Sequence, residues 1–303
     1  MSIVAPNLAV GWAGTKIVAE TIILEMMRTF TSDHPATYDK LGKFFSDLDF
    51  PEATGVQMVG LVLEGKNTVR DFCVNAKAHK TPLLGDIQLG GSGCNHFLQV
   101  LQNFSLPNIG GNPPEFVAAA GKLLMVACSI LGEELNTRSN LSGFYGGGFE
   151  IAYFNQGRFE KLGDITYFFW GVKVISPTQI GLAPLLGLRV SYLKDILLIH
   201  RIDFATNIPP NERVVLFITE PIHRKIQNTE IEEIRATPLP DLNSGFFCHY
   251  FAMDRPAAPP DNLVLIEERQ PDMFEFKNDG KKISLTIYNN FPERLLKSIQ
   301  TAR

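Results

Sequence analysis

The sequence predicts an α+β fold, with layered and largely antiparallel sheets in its first half and a β-rich stretch after it. Three observations predict this. Strand-like runs are separated by pairs of amphipathic helix patterns, the order expected of helices layered on sheets. Hairpin signals, Gly65-Lys66-Asn67 and Asn155-Gln156-Gly157, lie between short apolar runs. From about Ser176 prolines crowd the chain, at Pro177, Pro184, Pro209, Pro210, Pro221, Pro238, Pro240, Pro256, Pro259 and Pro260, with β-forming stretches between them.

Taken in order, Asn7 to Val10 reads as a strand entering the Gly11-Trp12-Ala13-Gly14 turn. Thr15 then suits the cap of a helix through about Arg28, with Val18, Ile22 and Met26 at four-residue spacing. Pro35 breaks the chain before a shorter amphipathic segment carrying Tyr38, Leu41, Phe44 and Leu48. Gln57 to Leu63 and Val69 to Val74 form a hairpin pattern, and Ile87 to Leu89 is a third strand, expected at the centre of a sheet. After Gly90-Gly91-Ser92-Gly93, Phe97, Leu98 and Leu101 mark a helix from Asn95 to Phe104.

Asn112-Pro113-Pro114 starts the next helix, because proline suits a first turn that needs no N–H. Its apolar face runs from Phe116 to Leu131, and Gly132 is read as its end. Phe149 to Phe154 and Phe159 to Leu162 make a second hairpin, followed by a strand from Ile165 to Trp170. The run Tyr167-Phe168-Phe169-Trp170 is apolar on both strand faces, which predicts a strand buried between layers. Further on, Ile196 to Phe204, Val214 to Thr219, Phe246 to Met253 and Leu263 to Glu267 read as strands. Phe274 to Phe276 and Ile283 to Tyr288 flank the Asn278-Asp279-Gly280 turn, and Pro292 opens a short helix to Ile299. Two regions are expected, residues 1–175 and residues 176–303, the second being the β-rich domain or extension.

Bulk composition bounds the function. The chain has 303 residues, 45% apolar and 20% charged, with a net charge of -4. Nucleic-acid binding normally needs a basic surface, so that class is disfavoured. No apolar run approaches the roughly 18 residues of a spanning helix, and Met1 to Pro6 lacks the basic start of a signal peptide, so no membrane partner is expected. Cys73, Cys94, Cys128 and Cys248 are scattered, which points to reduced thiols and a cytoplasmic location. No metal or cofactor is expected. The one close ligand pair, Cys248-His249, is adjacent on a strand, and its side chains would point to opposite faces.

Three stretches together resemble proteasome β-subunits of the N-terminal-nucleophile hydrolase superfamily. They are PNLAVGWAGTKIVAETIILEM, then VQMVGLVLEGKNTVRDFCV with LLGDIQLGGSGCNHFLQVL, and finally AAAGKLLMVACSILGEEL with LSGFYGGGFEIAYFNQGRFEKL. The resemblance covers roughly Asn7 to Trp170 and implies a four-layer αββα sandwich that assembles through its helices. It also implies amide hydrolysis by an N-terminal residue whose own α-amine takes the nucleophile's proton, with a nearby lysine and a backbone oxyanion donor.

The residues that would carry this chemistry match poorly. The nucleophile hairpin would precede Asn7, and no strand pair is expected in the residues before it. Ser2 would become N-terminal if Met1 were removed, but no lysine precedes Lys16, which opens a helix. Ser92 matches the family serine near the nucleophile's amine, and fits somewhat better as a serine in a strand-to-helix turn. Where the family carries Asp-x-x-Ser-Gly, this chain has Asn136 with Ser139, and Ser139 with Ser142-Gly143; an asparagine cannot supply the carboxylate charge. Tyr145-Gly146-Gly147-Gly148 lacks the lysine of a phosphate loop, and the histidines are dispersed without a visible partner. Ser2 and Ser92 are therefore the only candidate catalytic residues. Two functions are expected: a non-catalytic assembly or scaffold protein, forming a homo-oligomer or binding a partner protein, or an amide-bond hydrolase whose nucleophile segment is missing from this chain or supplied separately.

Overall fold

The computed structural model describes residues 1–48, 55–65, 68–82, 84–91, 94–103, 115–137, 149–176, 179–204, 213–236, 245–254, 263–268, 274–278 and 283–287. In chain order the elements begin β1 (Ser2–Ala5), β2 (Leu8–Gly14), α1 (Lys16–Thr29), α2 (Tyr38–Ser46), β3 (Val56–Glu64) and β4 (Thr68–Val74). Next come β5 (Lys77–Thr81), β6 (Gly85–Leu89), α3 (Cys94–Asn103), α4 (Glu115–Thr137), β7 (Ala152–Asn155) and β8 (Arg158–Lys161). The chain continues with β9 (Ile165–Ser176), β10 (Gln179–Leu193), β11 (Ile196–Asp203), β12 (Val214–Thr219) and α5 (Asn228–Ala236). It closes with β13 (Phe246–Asp254), β14 (Leu263–Glu268), β15 (Phe274–Asn278) and β16 (Ile283–Ile287).

The architecture is mixed α and β, and the chain falls into two compact units. One comprises Met1–Phe104, Leu141–Leu162 and Glu220–Lys225; the other comprises Ser105–Asn140, Gly163–Thr219 and Ile226–Arg303. The long helices α1 and α4 thus belong to different units.

In the first unit β1 to β4 form an antiparallel sheet in chain order. Strand alternation sends Leu8 and Val10 to one face, where they share a core with Val18, Ile22 and Met26 of α1. Thr15 precedes α1 without a side-chain cap bond, whereas Thr37 Oγ1 accepts from the Lys40 N–H and caps α2. Ala9 and Leu63 point to the other face and meet Phe159 of the β7–β8 hairpin. That hairpin turns through Gln156 and Gly157, both at positive φ, a conformation that suits glycine.

One expectation for this unit is corrected, and one strand is new. A single strand rather than a strand pair lies ahead of Asn7, where Ser2 pairs with Val10 and Ile3 with Ala9 of β2. The reversal at Pro6-Asn7 is so tight that four residues suffice, and Asn7 Nδ2 fixes it by donating to the Ala36 and Leu63 carbonyls at 2.8 and 2.9 Å. Ile87 to Leu89 is not a central strand. It lies in β6, which among the described strands pairs only with β5 in a two-stranded ribbon, and neither face of that ribbon carries the continuous apolar side that would bury it.

The second unit is built on a six-stranded sheet, ordered β12-β11-β10-β9-β13-β14, in which only β9 and β13 run parallel. Tyr167, Phe168, Phe169 and Trp170 on β9 are all buried, as the two-faced apolar run predicts. Helix α4 packs on β13 and β14 and does not end at Gly132. That glycine lies against the ring of Tyr250, where a Cβ would overlap it, so it permits close helix–sheet approach and terminates nothing. Ile234 of α5 covers Ile196 and Leu198.

The division expected between residues 175 and 176 falls inside the β9–β10 hairpin, so both of its sides share one sheet. Strand β10 was hidden by Pro184, which sits at a register shift against β9, where a strand tolerates proline. Ser92, Ser139 to Gly143, Tyr145 to Gly148 and the helix expected from Pro292 to Ile299 lie outside the described residues.

Candidate functional site

Ser2 is placed by β1, whose pairing to β2 turns its side chain into the sheet, and only 6% of the residue is exposed. The adjoining charges come from the hairpin on the other face. The Met1 α-amine donates to Glu150 Oε2 at 2.7 Å, and Lys161 Nζ donates to Glu150 Oε1 at 2.8 Å. Burial pushes the Glu150 carboxyl up, but the two cations and their hydrogen bonds outweigh it and hold the carboxyl below its ordinary range. The Met1 amine is thus engaged as a donor to a carboxylate, and Ser2 is buried beneath it while Met1 is in place.

The glycine turn that carries Ser92 is described at its ends. The Gly91 N–H donates to Gln57 Oε1 on β3, and the Cys94 N–H donates to the Gly91 carbonyl at 3.3 Å. Cys94 is the first residue of α3, and its Sγ lies 3.9 Å from Nε2 of His79 on β5. This thiol–imidazole pair was not legible in the sequence, where His79 stood among dispersed histidines. Lys16 is exposed at the start of α1, and Asn136 lies in the last turn of α4.

Two histidines of the second unit, His200 and His249, are buried. His249 is fully buried between rings of Phe168, Trp170 and Phe251, and its Nδ1 accepts from Trp170 Nε1 at 3.0 Å. Burial pushes its pKa down to about 3, so it is neutral at ordinary pH. Its neighbour Cys248 pairs across with Tyr167, on the opposite face, and burial drives that thiol well up. His200 is also held below its usual range, first by burial and then by the Arg189 charge. Among the described residues, no three His, Cys, Asp or Glu side chains converge on a metal position.

An open cleft of about 400 Å³ lies at the β4 edge, between α2 and β6. Tyr38, Phe45, Asp71, Cys73 and Gln88 line it, and Gln88 Nε2 donates to Asp71 Oδ2 at 2.8 Å. Among the described residues, no helix is long and apolar enough to cross a membrane. No family model, curated protein or solved structure matches the chain.

Proposed function

We propose that this chain is a non-catalytic assembly or scaffold protein, with its first unit built as part of a proteasome-like αββα sandwich. The observation that carries the assembly reading is the β12 edge. Val215, Phe217 and Ile218 are exposed at 43%, 50% and 37% on a strand that pairs only with β11 among the described strands. An uncovered apolar sheet edge is a template for pairing with another chain. The sandwich reading is supported by helices on one face of the β1–β4 sheet and the β7–β8 hairpin on the other. All four cysteines are unpaired, which fits a reducing, cytoplasmic setting.

The non-catalytic reading draws on the burial of Ser2, which lies inside β1 behind Met1. Purified protein should turn over no fluorogenic peptide amide and should not be labelled by a β-lactone or epoxyketone probe. Labelling at Ser2 that disappears in Ser2→Ala would overturn the reading. A second reading, amide-bond hydrolysis, has the Cys94–His79 pair in its favour, since a thiol beside an imidazole is a common nucleophile arrangement. Amide turnover lost in both Cys94→Ala and His79→Ala would establish it.

A further inference from the structure

The six-stranded sheet has two edges of different character. Strand β14 carries Glu267 and Glu268, charges that discourage strand addition. Strand β12 reads Val-Val-Leu-Phe-Ile-Thr, without charge or proline. In the first unit's sheet, β1 is only four residues long and β4 carries Arg70 and Asp71. Short strands and charged strands are both protected edges. Among these four edges, β12 alone lacks such protection.

The hydrogen-bond phase fixes which groups of β12 point outward. The Asp203 N–H donates to the Arg213 carbonyl at 2.7 Å, just before the register in which Ile202 opposes Val214. Alternation along an antiparallel ladder then turns the N–H and C=O of Val215, Phe217 and Thr219 toward β11, and those of Val214, Leu216 and Ile218 away from it. On the side-chain side, Leu216 joins the cluster under α5, while Val215 and Phe217 share the opposite, open face.

We infer that β12 pairs antiparallel with β12 of a second copy of this chain, about a two-fold axis through Leu216. This rests on the assembly reading and names its partner. The pairing sets Val215 opposite Phe217 twice on the open face, and Val214 opposite Ile218 twice on the other. Leu216 meets its own copy at the axis. Aromatic and β-branched residues are favourable cross-strand neighbours, and no charge within the strand faces another. The outward groups of Val214, Leu216 and Ile218 supply the ladder, so the contact is isologous and closes at two copies. An apolar pattern that is nearly symmetric about its middle residue selects its own copy over an unrelated strand.

The test uses the full chain in analytical ultracentrifugation over a concentration series. The wild type should be a dimer. Val215→Lys with Phe217→Lys puts lysines directly opposite one another twice, and should raise the dimer dissociation constant by about 100-fold. Both positions are exposed, so the circular dichroism spectrum should not change. Register is read independently in a Cys73→Ser background. The double variant Val215→Cys with Phe217→Cys should cross-link two copies on oxidation, and neither single variant should. A chain that stays monomeric at all concentrations overturns the inference. So does a dimer indifferent to the lysines, or cross-linking by Phe217→Cys alone. Amide turnover would instead overturn the assembly reading and leave this pairing to stand or fall on its own result.

Discussion

Gly132 gives a prediction in which two physical effects oppose each other. Inside a helix, replacing glycine by alanine ordinarily stabilises by about 1 kcal/mol. Here the added Cβ would enter the ring of Tyr250, which is 1% exposed. The ring cannot swing aside freely. Its strand is paired on both sides, to Phe169 and Val264, and the Phe169 ring lies 6.1 Å away centre to centre. Overpacking of this kind costs about 1–3 kcal/mol. Gly132→Ala should therefore destabilise by up to about 2 kcal/mol net, a fall in Tm of up to about 8 °C for a domain of this size. Gly42→Ala in α2 is the control, because a Cβ there meets nothing within 4 Å. It should stabilise by up to about 1 kcal/mol. Thermal melts of both variants, with Gly132→Ala/Tyr250→Leu completing a double-mutant cycle, measure the difference. If Gly132→Ala raises Tm as Gly42→Ala does, the close approach of α4 to β13 is wrong.

Acid should weaken the second unit through His249. Its folded pKa of about 3 lies below the ordinary 6.5, so its contribution is complete above pH 6.5. That contribution is lost as pH falls toward 3, by up to about 1.4 kcal/mol per pH unit, and urea titrations of His249→Gln between pH 7 and 5 should show a shallower slope than wild type. Gly60→Ala should destabilise the first unit by about 1–3 kcal/mol in chemical denaturation, because its Cβ would collide with the Phe72 ring and the Ala9 carbonyl. Asp164 sits at φ 54° and accepts from Arg189 Nη2 at 2.7 Å, with the Arg189 side chain 3% exposed. Asp164→Ala should cost about 2 kcal/mol, and Asp164→Asn less, because asparagine tolerates that backbone and keeps an acceptor.

The strands that sequence reveals are those with a clean boundary. Val214 to Thr219 is bounded by charge and proline, and it is β12 to the residue. Strand β5, Lys-Ala-His-Lys-Thr, has no apolar alternation, so nothing marked it. Helix α5 holds only Ile231 and Ile234 against charged neighbours, and it lies in a region whose composition reads as β. The candidate site was less legible because its contacts are non-local. Met1 reaches Glu150 across 149 positions, and His79 reaches Cys94 only through the β5–β6 ribbon. Neither spacing is a motif. Strand β1, which places Ser2, was not legible because its four residues pair through the tight Pro6-Asn7 reversal.

The interleaving of the two units along the chain has a consequence for synthesis. Ile222 completes the core around β1 to β4, so that core waits for a residue made after β12. Helix α4 waits longer. Its buried Leu124, Cys128 and Leu131 leave the ribosome before β13, the strand it packs on. No single cut separates the units, and a nascent chain halted at Thr219 has α4 without its β13 and β14 seat. Such a chain carries an apolar helix face that a chaperone would hold until Phe246 to Glu268 emerges.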